Sequence, residues 1–410
     1  MMLKFKIYLL LLLFACAFVA KAQINSYKFK RDITGVTSVW HSMKLPDQLY
    51  KNAEAGFGDL RIFGTSRKDA IEVPYLLKQR ADKIDDRELA FKQINQSSNQ
   101  NGYYYTFQSD AVTIINQINL SFKEDNFNWK ASLEGSNDNL TWFSILKDYR
   151  ILSIKNSDTD YKFTKLSFPD SKYQYFRVAL KSPVQPELLE AKISRTDTIK
   201  GIYQDVKYKT FIVRNDAVNK ETVINVGLEN PVPLSYLKLN AQSDFDFYRS
   251  FKIEFVTDSF KTEKGFQYNY GKLFDGTISS FEKPEYHFEN TITSRLKITI
   301  QNNDNKPLRL SGLILKGNVY EIIARFDNPT YNYALYYGNE KVTSPIYEIE
   351  KFENEIPALI TSVAIGQEKR NQLYSIISEK PLFENKAWLW VLMAVIIALL
   401  GWFSFKMLRN

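Results

Sequence analysis

Apolar and polar residues alternate with a period of two in several short runs of this chain. Trp129, Ala131 and Leu133 are separated by polar residues, and so are Phe251 and Ile253. Successive side chains of a strand point to opposite faces, so this period indicates half-buried antiparallel strands. The runs end at Asn, Asp, Gly or Pro, which are typical turn residues. The pattern predicts an all-β protein built from tandem antiparallel β-sandwiches.

A weak internal repeat suggests two copies of one sandwich. The segment 129–131 recurs as 251–253, and the segment 176–180 recurs as 296–300. The two offsets are nearly constant, which is expected for tandem domains of about 120 residues each. The alternative is that any two sandwiches with alternating strands can be aligned in this way.

The clearest local motif is Leu-Glu-Gly-Ser-Asn-Asp-Asn-Leu-Thr-Trp at 133–142. A strand is predicted to enter a polar turn there, and Trp142 to pack back on the core. Together with the segment 173–178, the motif resembles the discoidin-like jelly-roll sandwiches of extracellular adhesion and carbohydrate-binding modules. The resemblance implies that both sandwiches are jelly rolls.

The start of the chain predicts export. A basic segment at 1–6, an apolar stretch at 7–20 and the site Ala20-Lys21-Ala22 are typical of a cleavable signal peptide. An uncleaved anchor helix is one alternative. Lipidation at Cys16, the only cysteine, is another. Cleavage after Ala22 would leave no thiol, which excludes disulfides, zinc–thiolate sites and a cysteine nucleophile.

The end of the chain predicts a membrane anchor. Residues 387–405 are uncharged and apolar, and a helix of about 28 Å would match the ~30 Å hydrocarbon core of a bilayer. We therefore expect a single transmembrane helix in the inner (cytoplasmic) membrane, a periplasmic ectodomain and a cytoplasmic tail at 406–410. Of the net charge of +8, only +3 falls on residues 23–386. So small an excess does not predict nucleic-acid binding.

These features divide the chain into predicted segments. They are a signal peptide at 1–22, an N-terminal β domain at 23–108, a first discoidin-like sandwich at 109–197, a second β-sandwich at 198–320, a small β segment at 321–365, a stalk at 366–386, the membrane helix at 387–405 and the tail at 406–410.

The order of several blocks carries a family resemblance. The blocks are DLRIF, VPYLL, EGSNDNLTW, YFRVAL, PLRLSGL and YALYYGN, followed by the apolar C-terminal segment. In this order they resemble the domain-of-unknown-function family 3999, bacterial exported proteins with one C-terminal membrane helix. The resemblance implies no known activity and no catalytic residues. It implies a partner in the same envelope, in particular a polytopic membrane protein.

Motifs for catalysis are absent from the sequence. The only histidines, His41 and His287, lack the spacing of metal ligands, so each is predicted to have a structural role. No GxSxG elbow or phosphate-binding glycine loop occurs. Among the 46 acidic residues no carboxylate pair stands out, although an unrecognised pair would suit a hydrolase. We therefore predict no enzyme, no catalytic or metal-binding residues and no cofactor.

Two kinds of ligand contact are weaker candidates. Asp244-Phe245-Asp246 and Asp158-Thr159-Asp160 could donate oxygens to Ca²⁺, but neither continues into an EF-hand pattern, so solvated turn acids are expected. Tyr103-Tyr104-Tyr105 and one member of Tyr336-Tyr337 could stack on sugar rings, although core packing is the commoner role of such aromatics.

The leading hypothesis is a non-enzymatic, membrane-anchored envelope protein whose sandwiches bind another protein. The alternative is a carbohydrate-binding module for cell-wall or surface polysaccharide. The two differ in the surface that they require. A sugar binder needs a groove with two or more exposed aromatics, whereas a protein binder needs an apolar patch or an exposed strand edge.

Overall fold

The computed structural model describes residues 23–156, 159–263, 265–375 and 386–408. The predicted signal peptide, with Cys16, lies outside these residues, as do Asp158, the part of the predicted stalk at 376–385 and the tail residues 409–410. The described chain forms two compact units. The larger unit comprises 42–51 and 77–323, and the smaller one comprises the described residues before 42, 52–76 and those from 324 onward.

Strands account for most of the described residues, so the predicted all-β character is confirmed. Their bounds are β1 Phe29–Thr34, β2 Trp40–Lys44, β3 Arg61–Thr65, β4 Ala70–Val73, β5 Tyr75–Gln79, β6 Lys83–Leu89, β7 Phe91–Asn99, β8 Gly102–Ser109, β9 Ile114–Phe122, β10 Phe127–Ser136, β11 Phe143–Lys155, β12 Asp160–Phe163, β13 Lys165–Lys172, β14 Tyr175–Lys181, β15 Leu188–Ile199, β16 Tyr203–Val206, β17 Tyr208–Asp216, β18 Glu221–Gln242, β19 Tyr248–Thr262, β20 Gly265–Ser279, β21 Glu285–Gln301, β22 Arg309–Asn318, β23 Tyr320–Arg325, β24 Asn332–Tyr337, β25 Thr361–Ser362 and β26 Ala364–Arg370. The helices are three short 3-10 turns at Asp47–Lys51, Glu348–Glu350 and Glu353–Glu355, and one α-helix, α1, at Lys386–Leu408.

The first part of the larger unit is a β-sandwich. Its six-stranded sheet has the order β12-β11-β10-β14-β8-β7, and its four-stranded sheet has the order β13-β9-β15-β6. The predicted alternation holds in β10, where Trp129, Ala131 and Leu133 are buried and Lys130 is exposed. These side chains pack in one core with apolar residues of both sheets, including Ile118 of β9.

The second part of the larger unit is a seven-stranded sheet. Its order is β16-β22-β18-β21-β19-β20, and β17 pairs with β18 off this path. The strand pairs β9–β15 and β10–β14 of the sandwich have counterparts in β18–β22 and β19–β21. Their registers differ: Ala131 pairs with Leu180, whereas Ile253 pairs with Ile298. The two repeat copies suggested by the sequence therefore share these strand pairs. The register of the β19–β21 pair is shifted by two residues relative to that of the β10–β14 pair.

The smaller unit joins distant parts of the chain. Its five-stranded sheet has the order β26-β1-β24-β3-β4, with Phe29 opposite Tyr337 and Ile62 opposite Leu335. A strand from the C-terminal third thus lies between two N-terminal strands. The residues 366–370, predicted to start a stalk, belong instead to β26 and pair with β1.

Two strands of the sandwich, β6 and β7, have mostly polar sequences. β6 and β7 lie at the edges of the two sheets of the sandwich, and nearly all of their residues are exposed. Because both faces of these strands are in contact with water, their sequences carry no alternation. Edge strands with many polar residues resist pairing with other chains.

The localisation predicted from residues 387–405 is corrected by the structure. Within the described chain, no helix is both apolar enough and long enough to cross a membrane. This finding overturns the predicted transmembrane helix and the inner-membrane localisation with a cytoplasmic C-terminus that rested on it.

A glycine in the seven-stranded sheet gives a test of its packing. A Cβ atom at Gly317 would lie 1.8 Å from the backbone oxygen of Pro233, and backbone atoms cannot rotate away. We expect Gly317→Ala to lower the free energy of unfolding by about 2 kcal/mol, measured by urea denaturation. Ser311→Ala, at an exposed position of the same strand, should change it by less than ~0.5 kcal/mol. Equal stability of the two variants would contradict the packing described.

Candidate functional site

A cleft of about 760 Å³ opens where loops of the seven-stranded sheet meet a turn of the sandwich. The loop 243–247 joins β18 to β19, and the loop 302–306 follows β21. On the sandwich side the cleft is lined by Asn156 and Thr159, which flank the turn between β11 and β12. All of these residues belong to the larger unit. We call this site the loop cleft.

A buried arginine lies at the base of the loop cleft. Arg249 is 8% exposed and donates hydrogen bonds to the Asn302 Oδ1 and, at 2.7 Å, to the Lys306 backbone oxygen. Asn302 is itself buried, and its Nδ2 donates to Thr222 Oγ1 at 2.8 Å. Thr222 Oγ1 donates in turn to Asn215 Oδ1 at 2.9 Å. This chain of hydrogen bonds fixes the loop 302–306 on the ends of the strands.

Aromatic side chains form another part of the lining. Phe245 is 83% exposed and Tyr248 is 37% exposed, while Phe247 is half-buried. The loop that carries them is anchored to Ser280, whose Oγ accepts a hydrogen bond from the Phe247 backbone nitrogen at 3.0 Å. The Ser280 backbone nitrogen donates to the Phe247 oxygen at 2.9 Å. A large apolar side chain this exposed on an anchored loop is a typical ligand contact.

The carboxylates of the same loop are engaged by cations of the protein. Asp246 accepts a hydrogen bond from Arg150 Nη1 at 2.7 Å, and this bond holds the pKa of Asp246 below its usual range. Asp244 pairs with Arg309 at 2.6 Å. These pairings leave no acidic cluster for Ca²⁺, and no group of three potential metal ligands occurs in the described parts of the chain. Asp160, from the second segment considered for Ca²⁺, lines a different cleft.

Most of the tyrosines considered as sugar platforms lie in the core, which the sequence analysis named as the commoner role of such aromatics. Tyr105 is buried, donates to the Pro186 backbone oxygen, and has its pKa raised to about 12 by burial. Tyr103 packs partly buried against the same core. Tyr336 and Tyr337 are 5% and 0% exposed, so neither offers a platform. The alternating pattern of the sequence could not show that β24 lies between β1 and β3 in its sheet.

Tyr104 instead belongs to a cluster on the outer face of the sandwich. The Arg177 guanidinium lies 4.0 Å from the Trp142 ring centroid and 5.6 Å from that of Tyr104. Glu134 pairs with Arg177 at 2.7 Å. Trp142 therefore packs on Arg177, so the prediction that it packs on the core is wrong. Asp138 caps its turn by accepting hydrogen bonds from backbone nitrogens, which lowers the pKa of this carboxyl.

Both histidines are packed against aromatic rings. His41 is fully buried, and its Nε2 accepts hydrogen bonds at 3.0 Å from two backbone nitrogens, which leaves Nδ1 to donate to the Thr361 backbone oxygen. His287 lies 5.1 Å from the Tyr236 ring centroid. The bonded neighbours of His41 fix one tautomer and leave it no free nitrogen for a metal ion. The prediction that the protein is not an enzyme stays a prediction.

The sequence analysis weighed Asp244 and Asp246 as calcium ligands, expected solvated turn acids instead, and did not consider the aromatics of the same loop. It did not single out Arg249 or the run Asn302-Asn303-Asp304-Asn305-Lys306 at all. Two features of the sequence could have indicated this site. One is a polar loop rich in amides between two alternating strands, and the other is a loop containing two phenylalanines. Nothing local in the sequence brings these loops together, because 50 or more residues separate them.

Comparisons with known proteins give no assignment. No family model matches the chain, and no curated protein matches it. The CBM32-1 and CBM32-2 domains of Clostridium perfringens ZmpB are 9% identical over 68% of this chain and 100% of theirs, with a TM-score of 0.22. Discoidin II of Dictyostelium discoideum is 10% identical over 56% and 80%, with a TM-score of 0.19. A glycoside hydrolase 29 family member from an unknown rumen bacterium is 12% identical, with a TM-score of 0.20.

That match covers 54% of this chain and 40% of the hydrolase chain, so the protein spans about two fifths of the hydrolase's length. TM-scores of this size do not establish a shared fold. The discoidin-like topology and the membership in family 3999 therefore stay predictions, and the site has to be interpreted from its own geometry.

The hydrogen bonds of Asn302 can be tested by removing its amide. Asn302→Ala deprives Arg249 and Thr222 of a buried partner, so we expect the free energy of unfolding to fall by about 1–3 kcal/mol. Asn305→Ala, an exposed residue of the same loop whose side chain donates one 3.2 Å bond, should cost less than ~0.5 kcal/mol. Urea denaturation compares the two variants. A larger loss for Asn305→Ala would show that Asn302 does not hold the loop.

Proposed function

We propose that the protein binds polysaccharide in the loop cleft. The observation that carries this proposal is the presence of two exposed aromatics, Phe245 and Tyr248, in one cleft with buried and exposed amides. Aromatic rings stack on the apolar C–H faces of sugar rings, and amides both donate to and accept from sugar hydroxyls. The volume of about 760 Å³ falls in the range of ligand sites, ~300–1,000 Å³.

Features of the lining support sugar in preference to an apolar ligand. Asn302 is held in place by Thr222 and Arg249, and a preorganised amide loses little entropy when a ligand binds. Asn303 and Asn305 are exposed at the rim. A site for an apolar molecule would be lined mostly by aliphatic side chains, whereas this lining is rich in amide, hydroxyl and charged groups.

The aromatic contacts give the first test. We expect Phe245→Ala and Tyr248→Ala each to weaken polysaccharide binding at least about tenfold, because each removes a stacking surface worth ~1.4 kcal/mol. Binding is measured by affinity electrophoresis through gels that contain single polysaccharides. Phe266→Ala is the matched control, because Phe266 is 61% exposed but lies at the far end of the β19–β20 hairpin. Binding that is lost equally in all three variants, or seen with no polysaccharide, would overturn the proposal.

An exposed strand edge favours protein binding as a second function. β17 pairs only with β18 among the described strands, and Ile212 and Val213 on its two faces are 47% and 38% exposed. An apolar edge open on both faces is a template for a strand of another protein. We propose that a partner protein adds a strand to β17. That the partner is an integral membrane protein is implied only by the family resemblance.

The edge can be tested by site-specific crosslinking in intact cells. A photo-crosslinker at Ile212 should give a discrete adduct of higher mass, whereas the same group at Phe266 should give none. Adding Val213→Lys should suppress the Ile212 adduct, because a lysine on an edge strand opposes pairing. If position 212 gives no adduct, or if Val213→Lys leaves it unchanged, strand addition at β17 is excluded.

A further inference from the structure

The lining of the loop cleft contains two carboxylates and two cations. Of the carboxylates that line it, Asp246 pairs with Arg150 and Asp304 pairs with Lys220. Both of these cations lie outside the lining of the cleft, so each acid pairs with a residue that is not part of the lining. The cations that line the cleft are Arg249 and Lys306.

Neither of these two cations forms an ion pair with a described residue. The acceptors of Arg249 are an amide oxygen and a backbone carbonyl, which orient the guanidinium without cancelling its charge. Burial lowers the pKa of Arg249. Lys306 is exposed at the rim. Among the described lining residues, Arg249 and Lys306 are therefore the charges that no ion pair compensates.

The geometry of Arg249 leaves room for an anion. A guanidinium has five N–H donors, and Arg249 uses two of them in the bonds to Asn302 and Lys306. The remaining donors have no partner among the described residues. A planar guanidinium fits a carboxylate with two parallel hydrogen bonds. A cation that is nine-tenths buried without a counterion is also costly, and an anionic ligand would offset that cost.

We propose that the loop cleft selects acidic polysaccharides, with a sugar carboxylate on Arg249 and Lys306 and the sugar faces on Phe245 and Tyr248. This inference rests on the proposed polysaccharide binding and adds the class of sugar. Uronic acids carry a carboxylate on each ring, so they supply the anion and the stacking surface together. The same charge arrangement gives a neutral sugar no advantage.

The experiment compares polymers of matched length on the full chain. Polygalacturonate carries carboxylates, dextran sulfate carries sulfates, and dextran is neutral. We expect polygalacturonate to bind at least about tenfold more tightly than dextran in 50 mM salt, with the difference shrinking in 500 mM salt. Binding of dextran sulfate in preference to polygalacturonate would overturn the assignment of a carboxylate.

Charge variants locate the effect in the cleft. Lys306→Glu should abolish the preference for polygalacturonate, because it leaves the Lys306 backbone oxygen on Arg249 but reverses the rim charge. Lys283→Glu, the same change at an exposed position outside this cleft, should keep the preference. Arg249→Lys retains the charge but not the fork and should lose about tenfold in binding to polygalacturonate. If Arg249→Lys does not fold, the comparison of Lys306→Glu with Lys283→Glu still decides the inference.

The outcomes separate this inference from the proposed function. If dextran and polygalacturonate bind equally and both depend on Phe245, the selectivity is overturned and polysaccharide binding stands. If none of the polymers binds, both are overturned. If Lys283→Glu removes the preference as fully as Lys306→Glu does, the effect belongs to the overall charge of the protein, and the inference fails.

Discussion

The seven-stranded sheet depends on one strand that changes its buried face. β18 runs for 22 residues and pairs with β17, β21 and β22. Ile224 and Val226 are buried in its first half, but Leu237 and Leu239 are buried in its second half. Residues of even number thus give way to residues of odd number, and the register with β21 breaks in between. A shift of one residue flips every side chain, so this irregularity is required for both halves to bury their apolar face.

The presence or absence of a regular alternation also explains where burial could be predicted from the sequence. In β10 and in the segment 296–300 of β21, apolar residues alternate with polar ones, and the burial of Leu133 or Ile298 follows from that period. In the edge strand β7 both faces meet water, so no period exists to be recognised. The position of β24 between β1 and β3 depends on pairing across about 300 residues, which no local pattern encodes.

The site was less predictable than the fold for a related reason. A binding surface is made by side chains that the core does not use, so burial patterns leave it unmarked. The sequence shows that residues 243–247 contain acids, which could be metal ligands. It does not show that these acids pair with Arg150 and Arg309. Whether an acid is free or neutralised is decided by distant residues. Tyr336 and Tyr337 are both buried, which agrees with the core packing that the sequence analysis gave as the commoner role of such aromatics.

The internal pairs of the loop cleft have a consequence for how it could act. If Asp246 or Asp304 paired with Arg249 instead, the base of the cleft would be neutral and the buried cation would need no ligand. Arg150 and Lys220 prevent this by holding the acids elsewhere. Asn302 then orients Arg249 with a neutral oxygen, so orientation is achieved without loss of charge. A site built only for stability would place a carboxylate at this position, because a paired buried charge costs less than an unpaired one. The arrangement is the one expected where the missing counterion is supplied by a ligand.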